Sequence, residues 1–215
     1  MNSSPALLST DKEAISIRES IVPFRRITLV QASSDSAGRP VRVVADGIFD
    51  LFHVGHGNLF KQIKQAFPNA YLIVVIYDDE QTRKHKGPTV QTQRERVEAL
   101  RHIKYVDEVM TKAPWGLSVD FCDQNKIDIV AHDDGNKDPC LDVFRNKKMF
   151  LQLKRTGGVS TSSFITRILK NRDVFFDRNL ARGSVRCSVR FKVCLHSCSS
   201  LFNALVQRAS KLFEF

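Results

Sequence analysis

The stretch VRVVADGIFDLFHVGHGNLFKQIKQAFPNAYLIVVIY, residues 41–77, decides the fold. It opens with the short apolar run VRVVAD and closes with the apolar run AYLIVVIY, and each run is typical of a strand buried in a parallel sheet. Between them apolar residues recur at helical spacing until Pro68 ends the pattern. A strand, a helix and a strand with tight joints predict the βαβ unit of a parallel α/β sheet.

The chain beyond this unit repeats strand and helix patterns at short intervals. Apolar runs and helical spacing predict strands at 105–110, 127–131 and 149–154 and helices at 92–103, 118–125 and 162–170. Thr92 and Glu95 form a candidate capping box at the start of their helix. Residues 135–147 are polar and predict a loop.

These patterns together predict an α/β fold, a Rossmann-like parallel sheet with helices on both faces. Residues 1–40 are rich in serine and have no sustained period, so we expect a flexible N-terminal arm, with order beginning at Val41. The sheet domain is then expected over 41–180. Residues 181–215 are expected to form a basic linker and a C-terminal amphipathic helix.

The C-terminal region is basic as well as amphipathic. Residues 171–215 contain eight Lys or Arg against three Asp or Glu, in a chain whose net charge is +10. Such an excess suits anionic lipid, nucleic acid or a phosphate-rich ligand, and charge alone does not choose among them. The apolar stripe of 199–215 fits packing on the domain or a second copy, and it also fits peripheral contact with a membrane.

The cysteine pattern favours a reducing compartment. The chain has five cysteines, an odd number, and no CxxC pair. Its first residues lack the features of a secretory signal, and no run approaches the ~20 apolar residues of a membrane-spanning helix. Cys194, His196 and Cys198 have no second ligand pair at a zinc-finger spacing, so free thiols are favoured over zinc.

Two segments at the predicted carboxyl ends of strands are suited to binding phosphate. The first, residues 53–56, has the sequence HVGH at the start of a helix, where unpaired N–H groups and the helix dipole favour anions. Gly55 is expected to leave room for a phosphate. The second, residues 155–161, has the sequence RTGGVST, a glycine pair followed by hydroxyls. Exposed histidines or a metal site remain alternatives for the first segment, and a plain turn before a capped helix for the second.

The run DGIFDLFHVGH, residues 46–56, resembles the HxGH signature of the nucleotidyltransferase superfamily, and specifically that of the CTP:phosphocholine cytidylyltransferase family. Further matching segments follow in the same order: HKGPTV, YVDEV, APW, AHDD and RTGGVSTS. The resemblance covers about residues 41–180. It implies direct transfer of CMP from CTP to phosphocholine, in phosphatidylcholine biosynthesis, by a homodimer that uses Mg²⁺ with CTP as co-substrate. It also implies a cytoplasmic protein, with peripheral contact at the endoplasmic reticulum membrane through 199–215 as a further expectation.

The resemblance also assigns the residues of the site. It predicts three catalytic residues: Lys86, on a loop after the second strand, His53 and His56. It predicts nucleotide binding by Ile48, Phe49, Arg155, Thr156, Ser160 and Thr161. It predicts acceptor binding by Asp46, Lys86, Trp115, His132 and Asp133. No residue is predicted as a metal ligand, and no nucleic-acid partner is expected.

Three positions depart from the pattern of the family. Gly157 stands where the family usually has Glu, Lys104 stands where it commonly has Arg, and 135–144 contains no tyrosine. These departures leave two alternatives open. One is the same chemistry on phosphoethanolamine or glycerol 3-phosphate, and the other is a weakly active or non-catalytic paralogue that binds membranes.

Overall fold

The computed structural model describes residues 4–133 and 139–183. The chain divides into two compact units, residues 1–163 and residues 164–215. The first unit contains the sheet. The predicted amphipathic helix at 199–215 and the Cys194–Cys198 segment lie outside the described residues.

A six-stranded parallel sheet organises the first unit. Its strands are β1 (Leu7–Leu8), β2 (Val41–Gly47), β3 (Ala70–Ile76), β4 (Glu108–Met110), β5 (Ile129–Asp133) and β6 (Phe150–Leu153). Their order across the sheet is β1-β4-β3-β2-β5-β6, and every neighbouring pair is parallel. This order confirms the predicted Rossmann-like sheet.

The helices follow the strands along the chain. They are α1 (Lys12–Glu19), α2 (Leu29–Ser33), α3 (Val54–Ala66), α4 (Asp79–Lys86), α5 (Gln93–Arg101), α6 (Val119–Gln124), α7 (Asp142–Asn146), α8 (Thr161–Lys170) and α9 (Arg172–Ala181), with a 3-10 turn at Pro139–Leu141. The predicted capping box is present, because the Thr92 side chain accepts from the Glu95 N–H and the Glu95 carboxylate accepts from the Thr92 N–H. Within the described residues no helix is long and apolar enough to cross a membrane.

The core lies on both faces of the sheet, because side chains alternate along each strand. On one face Val43 of β2 packs in a cluster with Phe60 and Ile63 of α3. On the other face Val44 packs in a second cluster with Cys122 of α6 and Phe144 of α7. Helices on both faces are therefore confirmed.

The sheet reverses its direction of winding at β2. This strand pairs with β3 on one side and with β5 on the other. Ligands of open α/β sheets bind in the crevice at the carboxyl ends of such a pair of strands. The pairing of Val44 with Val130 places the ends of β2 and β5, with Asp46 and His132, at this crevice.

Three expectations about local structure are wrong. Order begins well before Val41, because β1 pairs with β4 and Ile27 is buried in the core. Lys86 is the last residue of helix α4 and does not lie on a loop. Residues 139–146, expected as loop, form a 3-10 turn and α7.

The signals for α4 are local and readable in the sequence. Asp78 caps its start by accepting a hydrogen bond from the Gln81 N–H at 2.7 Å. Acidic residues fill its first turn, basic residues fill its last turn, and Gly87 follows with φ at 96°. The β1 pairing has no such signal, since two residues carry no period.

Candidate functional site

The two histidines of the HVGH segment cap the helix that they begin. The Gly55 N–H donates to His53 Nδ1 at 3.1 Å, and the His53 N–H donates to His56 Nδ1 at 3.4 Å. The two rings stack with centroids 3.7 Å apart. The structure thus brings both predicted imidazoles together at the mouth of α3.

Burial shifts both imidazoles towards the neutral form. It lowers the pKa of His53, a hydrogen bond with the backbone of the same residue partly opposes this shift, and the positive charge of Arg155 adds to it. Burial lowers the pKa of His56 to about 4, and the neighbouring His53 adds to the shift. Because the Nδ1 atom of each ring accepts a hydrogen bond, the proton of each neutral ring sits on Nε2. The pair therefore places two imidazole rings, both shifted towards the neutral form, at the start of α3.

Gly55 leaves room for the ring of His53. A Cβ atom at Gly55 would lie 2.9 Å from the Cε1 and Nδ1 atoms of His53. The absent side chain therefore lets the His53 ring fold over the helix terminus. Whether Gly55 also leaves room for a phosphate, as expected from the sequence, stays a prediction.

Asp50 joins the histidine turn to two distant loops. Its buried carboxylate accepts from the Val90 N–H at 2.8 Å and the Gln91 N–H at 2.9 Å, in the segment that follows Lys86. Its carbonyl oxygen accepts from Thr161 Oγ1 at 2.8 Å. One residue thus holds together the turn before α3, the chain after α4 and the start of α8.

The turn that carries Asp50 has an unusual backbone. Phe49 and Leu51, on either side of it, have φ angles of 52° and 47°, a left-handed region that non-glycine residues rarely adopt. The Leu51 N–H donates to Gln91 Oε1 at 2.8 Å, which adds a second tie to the same loop. These contacts hold a conformation that the isolated turn would not favour.

A small cavity of about 150 Å³ lies at the switch point of the sheet. Its lining includes six residues predicted for the site: Asp46, Ile48, Phe49, His56, His132 and Asp133. Lys86, Trp115 and residues 155–161 are not among its lining residues. The structure therefore gathers six of the thirteen predicted residues around one space at the carboxyl ends of β2 and β5, and His53 is not among them.

The glycine loop at 155–161 is tied to the same region by its side chains. Thr156 Oγ1 accepts from Asn58 Nδ2 of α3 at 3.1 Å, and Arg155 Nε lies 3.8 Å from Asp133 Oδ2. Ser160 Oγ accepts from the Ser163 N–H at 3.1 Å and so caps α8, as predicted. The loop is thus anchored to the histidine helix and to β5.

The departure at Gly157 is not forced by lack of space. A Cβ atom there would meet no atom of the described residues within 4 Å, and the φ angle of Gly157 is outside the left-handed region. The fold would therefore accept the family's Glu at this position.

The predicted acceptor residues Asp46 and Trp115 are linked through Tyr77. The Tyr77 hydroxyl donates to Asp46 Oδ2 at 2.7 Å, and its ring lies 4.5 Å from the Trp115 ring. His85 stacks on Trp115 with centroids 4.5 Å apart and planes 12° apart. His85 directly precedes Lys86, so this stack joins the end of α4 to the Trp115 loop.

Lys86 is not bonded to the histidine pair in the part of the chain that the structure describes. Its side chain is exposed and forms no hydrogen bond or ion pair with any residue of 4–133 or 139–183. Lys104, at the position where the family commonly has Arg, lies with Nζ 4.9 Å from the Tyr105 ring. The link between Lys86 and the histidines runs through Asp50 and the 90–91 segment.

Arg96 is a supporting residue that sequence reasoning missed. It is fully buried, and its guanidinium donates to the carbonyl oxygens of Ile48 at 2.7 Å and Tyr77 at 2.9 Å and to Asp79 Oδ1 at 2.7 Å. It thus joins the carboxyl ends of two central strands to α4. A buried arginine in an otherwise polar helix has no local signature, whereas Asp50 lies within the quoted motif and Tyr77 ends a predicted strand.

The residues present offer little for a bound metal. Among the described residues no group of three His, Cys, Asp or Glu side chains could hold a metal ion. Asp46 accepts from Tyr77, and Asp133 lies beside Arg155. Mg²⁺ in nucleotide sites is usually held by substrate phosphates, water and one or two carboxylates, and this donor set fits that manner of binding.

The fold and the site define a family. Residues 44–167 match the cytidylyltransferase-like family, so the chain belongs to it. The chain is 47% identical over 167 residues to choline-phosphate cytidylyltransferase A of Homo sapiens, an alignment that covers 75% of this chain and 46% of that protein. It is 49% identical over 160 residues to choline-phosphate cytidylyltransferase 2 of Arabidopsis thaliana, covering 71% of this chain and 53% of that protein.

A more distant relative is named for ethanolamine-phosphate instead of choline-phosphate. Ethanolamine-phosphate cytidylyltransferase of Dictyostelium discoideum is 35% identical over 143 residues, covering 64% of this chain and 39% of that protein. The chain spans about half the length of the curated relatives that it matches.

Proposed function

We propose that the protein transfers CMP from CTP to phosphocholine, giving CDP-choline and pyrophosphate. The observation that carries this proposal is the pair of neutral imidazoles at the mouth of α3, which Asp50 ties to the chain after Lys86 and to the start of α8. The two segments that suit phosphate binding and the chain that follows Lys86 are thereby tied together at one edge of the sheet.

The reaction is an in-line displacement at the α-phosphorus of CTP. A phosphate oxygen of phosphocholine attacks, the new P–O bond forms, and the bond to the β-phosphate oxygen breaks with pyrophosphate leaving. The attacking oxygen is already anionic near neutral pH, so no general base is needed. Catalysis then consists of positioning and of stabilising charge on the transferring group.

The chain supplies donors for that charge. The Nε2–H groups of His53 and His56 donate to the triphosphate, and their neutral form leaves the positive charge to lysine and arginine. Lys86 contributes a compact ammonium on an exposed side chain that reaches the phosphates of both substrates. Arg155, Thr156, Ser160 and Thr161 bind the nucleotide from the glycine loop.

Magnesium enters with the nucleotide in this proposal. When bound, the ion would offset charge on the leaving pyrophosphate. It would be held mainly by phosphate oxygens and water, with Asp46 or Asp133 as the nearest carboxylates that the site could contribute.

The choice of acceptor is supported by two observations. The relatives named for choline are 47% and 49% identical, whereas the relative named for ethanolamine is 35% identical. In addition, Asp46 and the only tryptophan of the chain are linked through one tyrosine. A quaternary ammonium is bound by aromatic faces with a carboxylate nearby.

The test is an assay of the purified protein with CTP and Mg²⁺. Phosphocholine, phosphoethanolamine and glycerol 3-phosphate are offered in parallel, and the nucleotide products are separated by chromatography. We expect CDP-choline as the main product. CTP binding by calorimetry without any nucleotide product would instead support a non-catalytic, membrane-binding paralogue.

The expected assembly and location remain predictions of the resemblance. Light scattering coupled to gel filtration would distinguish the expected homodimer from a monomer. Fractionation and flotation with liposomes, using the full chain and a form ending at residue 198, would test a cytoplasmic protein with peripheral membrane contact. Equal flotation of both forms would exclude 199–215 as the membrane contact.

A further inference from the structure

One tyrosine connects the two residues predicted to hold the acceptor cation. The Tyr77 hydroxyl donates to Asp46 Oδ2 at 2.7 Å and accepts from the Gly116 N–H at 3.3 Å. Gly116 directly follows Trp115, whose ring lies 4.5 Å from that of Tyr77. The hydroxyl thus bonds to the end of β2 and to the tryptophan loop at the same time.

The position of Tyr77 makes this link rigid. Its side chain is 5% exposed, it packs in the core cluster on the Cys122 face of the sheet, and its carbonyl oxygen accepts from buried Arg96. It directly follows β3, which pairs with β2 along its whole length. A side chain fixed in this way holds its partners with little freedom.

The chemistry of the cation makes such support important. A trimethylammonium group has no N–H to donate, so it cannot orient a carboxylate by hydrogen bonding. Its binding depends on a charge and on aromatic faces that are already in place. A primary ammonium, as in phosphoethanolamine, can donate directly to the carboxylate and is less dependent on this arrangement.

We infer that Tyr77 is a positioning residue that fixes Asp46 and Trp115 for a quaternary ammonium acceptor. This inference rests on the proposed function and adds to it the residue that makes the acceptor site selective for choline. His85 supports the same arrangement by stacking on Trp115. The other two tyrosines, Tyr71 and Tyr105, are not bonded to Asp46 in the described part of the chain.

The single tryptophan provides a direct assay of binding. Trp115 is the only tryptophan in the chain, so intrinsic fluorescence excited selectively at this side chain reports on the acceptor site without turnover. Titrations use phosphocholine, tetramethylammonium chloride as the cation alone, and glycerol 3-phosphate as a phosphate without a cation. Tyr77→Phe removes only the hydroxyl, and Tyr71→Phe makes the same change at the other end of the same strand as the matched control.

We expect phosphocholine and tetramethylammonium to change the Trp115 emission. Glycerol 3-phosphate has no cation and should leave this emission unchanged. Tyr77→Phe should weaken phosphocholine binding and raise its KM by about fivefold to tenfold, the loss expected for one hydrogen bond. The KM for CTP and kcat should stay unchanged, and preference for phosphocholine over phosphoethanolamine should fall. Tyr71→Phe should leave the KM for phosphocholine, the KM for CTP, kcat and the preference for phosphocholine as in the wild type.

The outcomes separate this inference from the proposed function. If Tyr77→Phe leaves the Kd and KM for phosphocholine unchanged, or if Tyr71→Phe shifts them equally, the inference is wrong although the activity stands. Wild-type emission that does not respond to phosphocholine also overturns it. If phosphocholine binds with the expected dependence on Tyr77 but no CDP-choline forms, the proposed function fails and the site remains.

Discussion

A buried charge pair at the amino end of the sheet differs in its surroundings from two exposed charges at the carboxyl end. At the amino end Arg42 is 1% exposed and lies 3.3 Å from Glu108, which is fully buried. At the carboxyl end Lys86 and Arg155 are exposed. Arg42 and Glu108 are therefore paired inside the protein, whereas the Lys86 and Arg155 side chains are accessible to a ligand.

Asp128 shows how complete the pairing at the amino end is. Its buried carboxylate accepts from the backbone N–H groups of Ile27 and Arg42 at 2.8 and 3.0 Å, and from both Nη atoms of Arg39 at 2.7 and 2.8 Å. This network fastens the N-terminal segment to β2 and β5. The comparison teaches that in this fold a buried charge indicates a structural role and an exposed charge near a helix mouth indicates a functional one.

Breaking the pair at the amino end should give the largest effect. Glu108→Leu leaves the Arg42 guanidinium buried without its carboxylate, and Arg42 Nε and Nη1 already lack hydrogen-bond partners among the described residues. We expect a loss of about 3–5 kcal/mol in the free energy of unfolding, measured in urea, with kcat of the folded protein unchanged. The double variant Arg42→Met with Glu108→Leu should recover most of this loss, and a double variant as unstable as the single one would contradict the assignment.

At the carboxyl end, Lys86→Ala should affect catalysis and leave stability alone. Because the side chain is exposed, the melting temperature should not change, whereas kcat should fall by about 10²–10³-fold through loss of charge stabilisation. Lys84→Ala, an equally exposed lysine on the same helix, is the matched control and should retain activity. Near-normal turnover by the Lys86 variant would remove this residue from the mechanism.

The histidine pair should make stability depend on pH. Above pH 6.5 His56 is neutral whether the protein is folded or unfolded, so its contribution is fully present. As the pH falls from 6.5 towards the folded pKa of about 4, His56 is protonated in the unfolded chain but stays neutral in the folded chain. The free energy of unfolding therefore falls by up to about 3 kcal/mol. Unfolding of the wild type and His56→Gln at pH 7 and pH 4.5 checks this, and an equal loss in both proteins would contradict it.

The smallest effect is expected where the glycine loop meets α3. Asn58→Ala removes the hydrogen bond to Thr156 Oγ1, which should raise the KM for CTP about fivefold, a cost of about 1 kcal/mol. The KM for phosphocholine should stay the same. A change in the KM for phosphocholine alone would show that the loop does not serve the nucleotide.

Residues with local patterns were predicted well. The βαβ unit, the capping box at Thr92 and the cap at Ser160 are confirmed, because each depends on neighbours within one or two helical turns or on alternation along one strand. The wrong predictions concern residues whose structure depends on distant parts of the chain. Leu7 and Leu8 join the sheet only because β4 lies beside them. A pattern of two residues does not predict pairing with a strand about a hundred positions away.

The sequence by itself determined the parallel α/β fold and the pairing of two imidazoles at a helix mouth, because periodicity and the spacing of HVGH are local properties of the chain. Only the tertiary structure decided that Asp50 would bond to Val90, Gln91 and Thr161, at separations of 40, 41 and 111 residues. It also decided that Tyr77 would reach Asp46 and the Trp115 loop. Such contacts depend on strand order and on the direction of each side chain across the sheet, and no local pattern encodes either.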